Sequence, residues 1–342
     1  MRRDIDNAKA LSGRTLDDSL IKERNDFING LNLDEMSERE KTYALDRYRL
    51  LDYSITFYTL STNDVDMNNL DLASMEKLRQ KNLAAAYDGY NLSDKEKKYW
   101  QSEEEKIKKP LTLQYAELYE TLATNDIYRC LLVATFWIAV VISQIFAEEH
   151  SRKTDQLILP SRLGRKQVYF AKISAGIVFT FLAVSLLILV QIILDICLLG
   201  TDGFNASMLL EIGGWYSKAF TYGQVVLIML GIYLLSSILT AITAMVLSER
   251  FRNNIASISV IVGITFISLF INFSMKFRLI SQIWNYLPTK LINPADGLLD
   301  LRLVSIGGLN MTSWQFGAIL YVILGIVLVI AGKRIYCKYQ VV

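Results

Sequence analysis

The chain has 342 residues, of which 52% are hydrophobic and 20% are charged, and its formal net charge is +2. With a mean hydropathy of +0.28, this balance is typical of a membrane protein that carries a polar region, and no large basic face indicates a nucleic-acid partner. Three cysteines and one histidine lack the spacing of a zinc site or a disulfide framework, so no bound metal is expected. We interpret the cysteines as packing residues and His150 as a solvated loop residue.

Residues 1–125 form the polar region, with 19 Lys and Arg against 24 Asp and Glu. Apolar residues at helical spacing, together with helix start and stop signals, predict helices near 20–31, 38–60, 74–87 and 93–109. The sequence Ser-Glu-Arg-Glu from Ser37 to Glu40 is a capping box, which indicates a helix start. The residues of this region do not form a recognisable catalytic pattern, so we predict a soluble, mostly helical domain.

Five apolar segments are long enough to cross a bilayer about 30 Å thick at about 1.5 Å per residue. Each is predicted to be a helix, because backbone polar groups in lipid must be hydrogen-bonded within the segment. The predicted spans are approximately 127–147, 171–199, 222–248, 254–275 and 313–332. The predicted fold is therefore all-α, with a polytopic transmembrane domain over 126–342 that follows the soluble helical region.

Lys and Arg residues predict the orientation of these spans. Six of them lie in the loop 149–172 between the first two spans, and others lie in the turn after the third span and in the C-terminal tail. With five spans, all three places are on one side, which the basic bias places in the cytoplasm. Residues 1–125 are then extracytoplasmic although no signal peptide precedes them. We expect a further membrane helix upstream of Met1; a five-helix protein with an exported tail is the alternative.

Arg129 and Asp195 are charged residues near membrane depth. Asp195 is a candidate for lining a transport pathway, because ionisable residues within spans often have a functional role. Both residues are close to a predicted outer end, where a side chain can reach water. An ordinary interfacial position is therefore the alternative.

The loop between the first and second spans contains a recognisable pattern, FAEEHSRKTDQLILPSRLGRKQVYFAK over 146–172. Its elements are Phe146, Glu148, Glu149, Thr154, the apolar group Leu157 to Leu159, Pro160, Arg162, Lys166 and Lys172. With this loop and its spans, the chain resembles permease subunits of ABC-2 type transporters, in particular bacterial members with a helical extracytoplasmic insert. One departure is that Arg152 and Lys153 precede the threonine where a glycine is common.

The resemblance implies that the loop carries a coupling helix that docks on a separate ATPase subunit. The residues expected at that contact are Glu148, Glu149, Thr154, Leu157, Leu159, Pro160, Arg162 and Lys166. It also implies an exporter in the bacterial cytoplasmic membrane, with two ATPase subunits that bind ATP and Mg²⁺ and with a second permease chain, identical or different. This chain is expected to be no enzyme and to bind no cofactor itself. Leu-Ser-Gly at 11–13 is similar to part of an ATPase signature, but no GxxxxGK[ST] loop accompanies it.

Two other functions fit parts of the sequence. The acidic region 1–125 suits a sensor or immunity protein that binds a cationic peptide or an antibiotic. Glu148, Glu149 and Arg152 are similar to the glutamate pair and the arginine of prenyl-protein-type intramembrane proteases. That arginine is one residue too close, however, and one histidine cannot supply the further histidines that such enzymes need. The protease interpretation is therefore disfavoured.

Overall fold

The computed structural model describes residues 2–32, 35–59, 70–152, 154, 165–210 and 216–338. The chain forms two compact units. Unit 1 consists of Met1–Ala123 and Asp195–Leu227, and unit 2 consists of Thr124–Leu194 and Ile228–Val342. The predicted domain boundary near residue 125 stays a prediction. In addition, residues 195–227 group with the N-terminal region; they include the end of the second predicted span, the start of the third and the segment that joins the two.

Short helices make up most of the N-terminal region. They are α1 Arg2–Leu11, α2 Asp18–Asn29, α3 Glu38–Leu45, α4 Arg49–Thr59, α5 Leu72–Gly89, α6 Asp94–Glu104 and α7 Glu117–Thr121. The predicted helices at 20–31, 74–87 and 93–109 correspond to α2, α5 and α6. A 3₁₀ turn over Asp46–Tyr48 divides the predicted helix 38–60 into α3 and α4. The sequence pattern did not indicate α1.

Side chains that precede the helices satisfy their first backbone N–H groups, which have no partner within the helix. Asp17 accepts a backbone N–H at the start of α2 at 2.8 Å. The predicted capping box is confirmed, because Glu40 accepts the backbone N–H of Ser37 at 2.9 Å and Ser37 caps α3 in return. Ser93 and Glu96 repeat this arrangement at α6. Local sequence therefore determines where these helices begin.

The apolar core of unit 1 lies between α1, α2, α4 and α5. Its buried members are Leu11, Leu16, Leu20, Ile21, Tyr48, Leu51, Ile55, Tyr58, Met75, Leu113 and Leu210. Beside it, two extended stretches pair antiparallel: Leu16 donates to the carbonyl of Leu111 and Leu113 donates to that of Arg14, both at 2.8 Å. Gly13 begins this pairing with φ +89°, a conformation that favours glycine. The Leu-Ser-Gly triplet therefore ends α1 and starts this pairing.

A buried guanidinium joins three helices of unit 1. Arg79 on α5 is fully enclosed and donates two hydrogen bonds to the carboxylate of Glu104 on α6, at 2.5 and 2.8 Å. Its Cζ lies 5.0 Å from the ring centroid of Tyr58 on α4, and the hydroxyl of Tyr58 donates to Glu76 at 2.7 Å. A buried charge requires such partners, because leaving it unpaired is costly.

The described residues of the segment 195–227, which belongs to unit 1, pack closely against other parts of that unit. The ring of Trp100, which is fully buried, lies 5.0 Å from the ring of Tyr216. Gly203 has φ +92°, and a Cβ atom there would be 2.3 Å from the carbonyl oxygen of Tyr115. Only glycine permits this close approach of the two backbones.

The long apolar helices follow the short helices of the N-terminal region. The elements after α7 are α8 Ile127–Ile142, α9 Gln144–Ser151, α10 Lys166–Leu199, α11 Tyr222–Phe251, α12 Asn254–Phe270, α13 Arg278–Asn285, α14 Pro288–Leu291, β1 Leu303–Ile306, β2 Leu309–Thr312 and α15 Ser313–Lys338. The two strands form an antiparallel hairpin in which Leu303 is opposite Thr312. The hairpin leads directly into α15.

Among the described residues, four helical stretches are long and apolar enough to cross a membrane: Glu117–Ser151, Lys166–Leu199, Tyr222–Phe251 and Ser313–Lys338. The first is a 35-residue run that joins α7, a π-helical turn, α8 and α9. The predicted span 254–275 forms α12, whose 17 residues are at the lower limit for a spanning helix. The chain is thus an all-α, multi-pass membrane protein, as the sequence predicted.

The spanning helices differ in how much of their apolar surface is enclosed. We compare the most apolar 18 residues of each helix. Of these residues, 61% are buried in α11, 17% in α10 and 22% in α15. Exposed side chains such as Leu182 and Leu186 cover the outer face of α10. The run Glu117–Ser151 is 56% buried on the same measure, so it and α11 are the enclosed helices of this group. α10 and α15 present apolar faces suited to lipid or to another membrane protein.

Candidate functional site

The charged loop that the sequence indicates as functional is described in part. Its first residues form α9, and its last residues begin α10 at Lys166. Thr154 lies between them and is also described. The other predicted contact residues, Leu157, Leu159, Pro160 and Arg162, lie outside the described residues. The site can therefore be built from α9, from the start of α10 and from the helices that contact them.

α9 follows a break in the helix after α8, and a serine of α11 fills that break. The hydroxyl of Ser248 donates to the carbonyl of Ser143, and the same hydroxyl accepts the backbone N–H of Ala147 at 3.1 Å. Ser248 is completely buried. Because a helix break exposes backbone groups that need partners, this one hydroxyl both stabilises the break and ties it to α11.

Glu149 of α9 is paired with a lysine of α10. The Nζ atom of Lys172 lies 2.5 Å from a carboxylate oxygen of Glu149, and the two side chains are 17% and 15% exposed. Lys172 also donates to the carbonyl of Ile145 at 2.9 Å and lies 4.8 Å from the ring centroid of Phe146. This carboxylate is therefore engaged within the chain, and its predicted contact with a partner stays a prediction.

The next residue, His150, is paired with an acidic residue of α11. Its Nε2 atom lies 3.0 Å from Oε2 of Glu249, and the two side chains are 7% and 2% exposed. The prediction that His150 is a solvated loop residue is wrong. It belongs to the last turn of α9, and the packing of α9 on α11 encloses its ring.

Aromatic rings join the start of α9 to α10 and α15. Phe146, Tyr169 and Tyr336 lie with ring centroids 5.6 to 5.8 Å apart, a distance typical of favourable aromatic contacts. The hydroxyl of Tyr169 donates to the carbonyl of Val329 at 2.8 Å. A Cβ atom at Gly332 would lie 2.5 Å from that hydroxyl, so the glycine makes room for the contact.

One side of α9 remains exposed and charged. Glu148 and Arg152, 54% and 71% exposed, form an ion pair at 2.6 Å one helical turn apart. Thr154 donates its backbone N–H to the carbonyl of Glu149 at 3.0 Å and so closes the end of the helix, and Lys166 is exposed at the start of α10. The neighbouring carboxylates of Glu148 and Glu149 thus have different surroundings, one in solvent and one beside a lysine.

The two charged residues near membrane depth also differ. Arg129 is 70% exposed and lies 3.4 Å from the carboxylate of Asp126. Asp195 is 7% exposed and lies near the C-terminal end of α10, in the part of the chain that groups with unit 1. A pathway role for Asp195 stays a prediction.

Sequence reasoning found the loop but missed the partners that hold it. Glu249 and Ser248 on α11 had no predicted role, nor had Tyr169 and Gly332. A signal was available at Glu249, because an acidic residue so close to an apolar span is costly to bury and usually has a partner. Its identity could not be read from spacing, since His150 lies 99 residues away in the sequence.

These features define a class: a polytopic helical membrane protein in which a short charged helix is held at one end of the spanning helices. Residues 4–332 match the family model described as ABC-2 family transporter protein. The chain therefore belongs to the ABC-2 family of transporter proteins, whose members are membrane permease subunits. Neither a curated protein nor a solved structure matches the chain.

Proposed function

We propose that this chain is the permease subunit of an ABC exporter that is driven by a separate ATPase subunit. The observation that carries this proposal is the exposed pair of Glu148 and Arg152 on α9, a helix whose other sides are held by enclosed contacts. Exposed charge on a firmly held helix suits the docking of a partner of complementary charge. ATP and Mg²⁺ are then bound by the partner, and this chain supplies the membrane pathway.

The position of basic residues supports an orientation. His150 contacts α11 and Phe146 contacts α15, so the C-terminal ends of both helices lie beside α9. These ends carry Arg250, Arg252, Lys333, Arg334 and Lys338. The basic bias supports a cytoplasmic position for this end and the C-terminus, with residues 1–125 on the other side of the membrane. After replacement of the three native cysteines, an impermeant thiol reagent applied to intact cells should label a cysteine at Glu38 but not one at Ser151. The reverse labelling would overturn this orientation.

The proposed assembly contains two ATPase subunits and two permease chains, identical or different. The apolar faces of α10 and α15 provide surface for a second permease chain as well as for lipid. Asp195 is the candidate pathway residue in this assembly. The outward direction of transport rests on the resemblance to exporters of this family.

Purification of the tagged full chain from its native membranes in mild detergent tests the ATPase partnership. We expect an ATPase with the ATP-binding-cassette motifs to co-purify and to hydrolyse ATP. Reversing both charges of the exposed pair, Glu148→Lys with Arg152→Glu, should reduce the amount of co-purified ATPase at least several-fold, because like charges would then meet across the contact.

Glu38→Lys is the control. It makes the same glutamate-to-lysine change as Glu148→Lys, at a side chain of unit 1 that is 90% exposed. It should leave the co-purified ATPase at the wild-type amount. If no ATPase accompanies the wild-type chain, the proposed function is wrong. If the Glu148→Lys, Arg152→Glu variant and the Glu38→Lys control co-purify equal amounts of ATPase, the exposed pair is not part of the docking site.

A cavity in unit 1 favours a second function, the recognition of an external peptide or antibiotic. The cavity measures about 610 Å³, and its wall includes Phe27, Tyr43 and Tyr48 beside charged residues. Arg47 lies 4.7 Å from the ring centroid of Phe27. An amphipathic peptide should then change ATP hydrolysis by the purified complex, and Tyr43→Ala should weaken the response. An unchanged rate with every peptide of a broad panel would argue against this function.

A further inference from the structure

α9 is held by its surroundings and not by its own length. It has eight residues, and an isolated helix of that length is not stable in water, because nucleation costs more than so few hydrogen bonds return. α9 also continues from α8 through the turn at Ser143. Its orientation therefore comes from that connection together with the contacts it makes with α10, α11 and α15. Those contacts therefore determine which neighbouring helices move when another molecule displaces the exposed side of α9.

Two consecutive residues of α9 form enclosed polar pairs with different helices. Glu149 meets Lys172 on α10, and His150 meets Glu249 on α11. Side chains of consecutive residues leave a helix about 100° apart around its axis. The two pairs therefore act in different directions and oppose rotation of α9 about its axis as well as translation along it.

The start of α9 is held by a separate set of contacts. Ser248 bridges the helix break through the carbonyl of Ser143 and the N–H of Ala147. The ring of Phe146 packs on Tyr169 and Tyr336. Both ends of α9 are thus attached to the neighbouring helices, while the exposed pair of Glu148 and Arg152 is left for contact with another molecule.

We propose that α9 and the adjoining turns of α10 and α11 move as one rigid body, locked by the Glu149–Lys172 and His150–Glu249 pairs. This rests on the proposed function: displacement of the exposed side of α9 by the ATPase is passed directly to two spanning helices. The four paired residues are positioning residues. They transmit movement and do not themselves contact the ATPase.

A distance measurement between spin labels tests the rigid body. Labels are placed at Ser151→Cys on α9 and Ala175→Cys on α10, both exposed positions, after replacement of the native Cys130, Cys197 and Cys337. In lipid nanodiscs the wild-type chain should give one narrow distance distribution. In the purified complex with the ATPase, trapping with ATP and vanadate should leave that distribution unchanged.

Variants that break either pair should loosen the body. Lys172→Met and, separately, Glu249→Met should broaden the distribution in nanodiscs and shift it on vanadate trapping. Lys172→Arg retains the ion pair and should behave as the wild type. Arg152→Met removes the exposed ion pair on the same helix and serves as the matched control, with no broadening expected.

Two results would overturn the proposal. One is a wild-type distance that changes on vanadate trapping, and the other is equal widths for the wild type, Lys172→Met and Glu249→Met in nanodiscs. The nanodisc comparison does not need the ATPase, so it decides the rigid body even if no ATPase co-purifies. If the ATPase co-purifies but the distance between the two labels is the same in every variant, the proposed function stands. The rigid body locked by the two pairs is then refuted.

Discussion

The Nε2 atom of His150 lies 3.0 Å from Oε2 of Glu249, with side chains that are 7% and 2% exposed. A polar pair so enclosed is stable only while both partners are present, because an enclosed polar group without a partner has lost its hydration without compensation. The orientation of the loop helix α9 therefore depends on a residue near the end of α11. A position on a distant spanning helix is as important for this site as the charged loop itself.

This contact can be observed directly, since the chain contains one histidine. In the ¹⁵N spectrum of histidine-labelled protein in nanodiscs, all imidazole signals come from His150. We expect Glu249→Gln to shift the Nε2 resonance, because the hydrogen-bond partner changes from a carboxylate to an amide. Glu148→Gln makes the same change on the exposed side of α9 and should leave the resonance in place. Equal spectra for the wild type and Glu249→Gln would show that the pair does not form.

Gly332→Ala should destabilise the packing of α15 on α10. The new Cβ atom would lie 2.5 Å from the hydroxyl of Tyr169 and 2.9 Å from a methyl group of Val246, and overpacking of this kind costs about 1–3 kcal/mol. The measurement is the thermal unfolding midpoint of the purified chain in detergent. Adding Tyr169→Phe, which removes the hydroxyl, should recover part of the loss.

Gly325→Ala is the matched control on the same helix. There the nearest atom to an added Cβ is a methyl carbon of Ile242 at 3.4 Å, an ordinary contact, so little change in the midpoint is expected. Equal losses at positions 332 and 325 would show that the space around Tyr169 is not the cause.

Arg79→Met should strongly destabilise unit 1. The substitution leaves Glu104, whose side chain is 17% exposed, without its guanidinium, and breaking a buried ion pair in this way costs about 3–5 kcal/mol. Hydrogen exchange of the α5 and α6 amides in the full chain measures the change in opening free energy. Lys97→Met removes an exposed pair with Asp88 and should cost no more than about 1 kcal/mol.

Acid should loosen unit 1 around α5 through Glu76. Burial alone would raise the pKa of this carboxyl, but hydrogen bonds from Gln80, Lys109 and Tyr58 outweigh it and lower the pKa from 4.5 to about 2. Because the folded-state pKa lies below the unfolded value, the ionised group stabilises the fold above about pH 4.5. That contribution is lost as the pH falls from about 4.5 towards 2.

Hydrogen exchange of the α5 amides, corrected for the intrinsic effect of pH, should therefore accelerate across this window. In Glu76→Gln the acceleration should be smaller, since the side chain no longer takes up a proton. An identical pH dependence in the wild type and the variant would assign the effect to other carboxylates.

The sequence by itself determined the features that depend on local physical chemistry. Apolar runs predicted the spanning segments, because lipid offers no hydrogen bonds to the backbone and a helix is the local solution. Ser37 and Glu40 predicted the start of α3, since a capping box acts within four residues. The charged loop at 146–172 indicated the ABC-2 family, which the match over 4–332 confirms.

The tertiary structure decided which groups meet. Nothing in the spacing of Glu148 and Glu149 indicates that one is exposed beside Arg152 while the other pairs with Lys172. The enclosure of His150 was likewise decided by the packing of α9 on α11. Local sequence patterns indicate how a segment forms its own backbone hydrogen bonds and which of its faces is exposed to solvent. The partner of a buried charge is chosen by the packing of helices far apart in the sequence, because an enclosed charge is stable only where that packing supplies its counterpart.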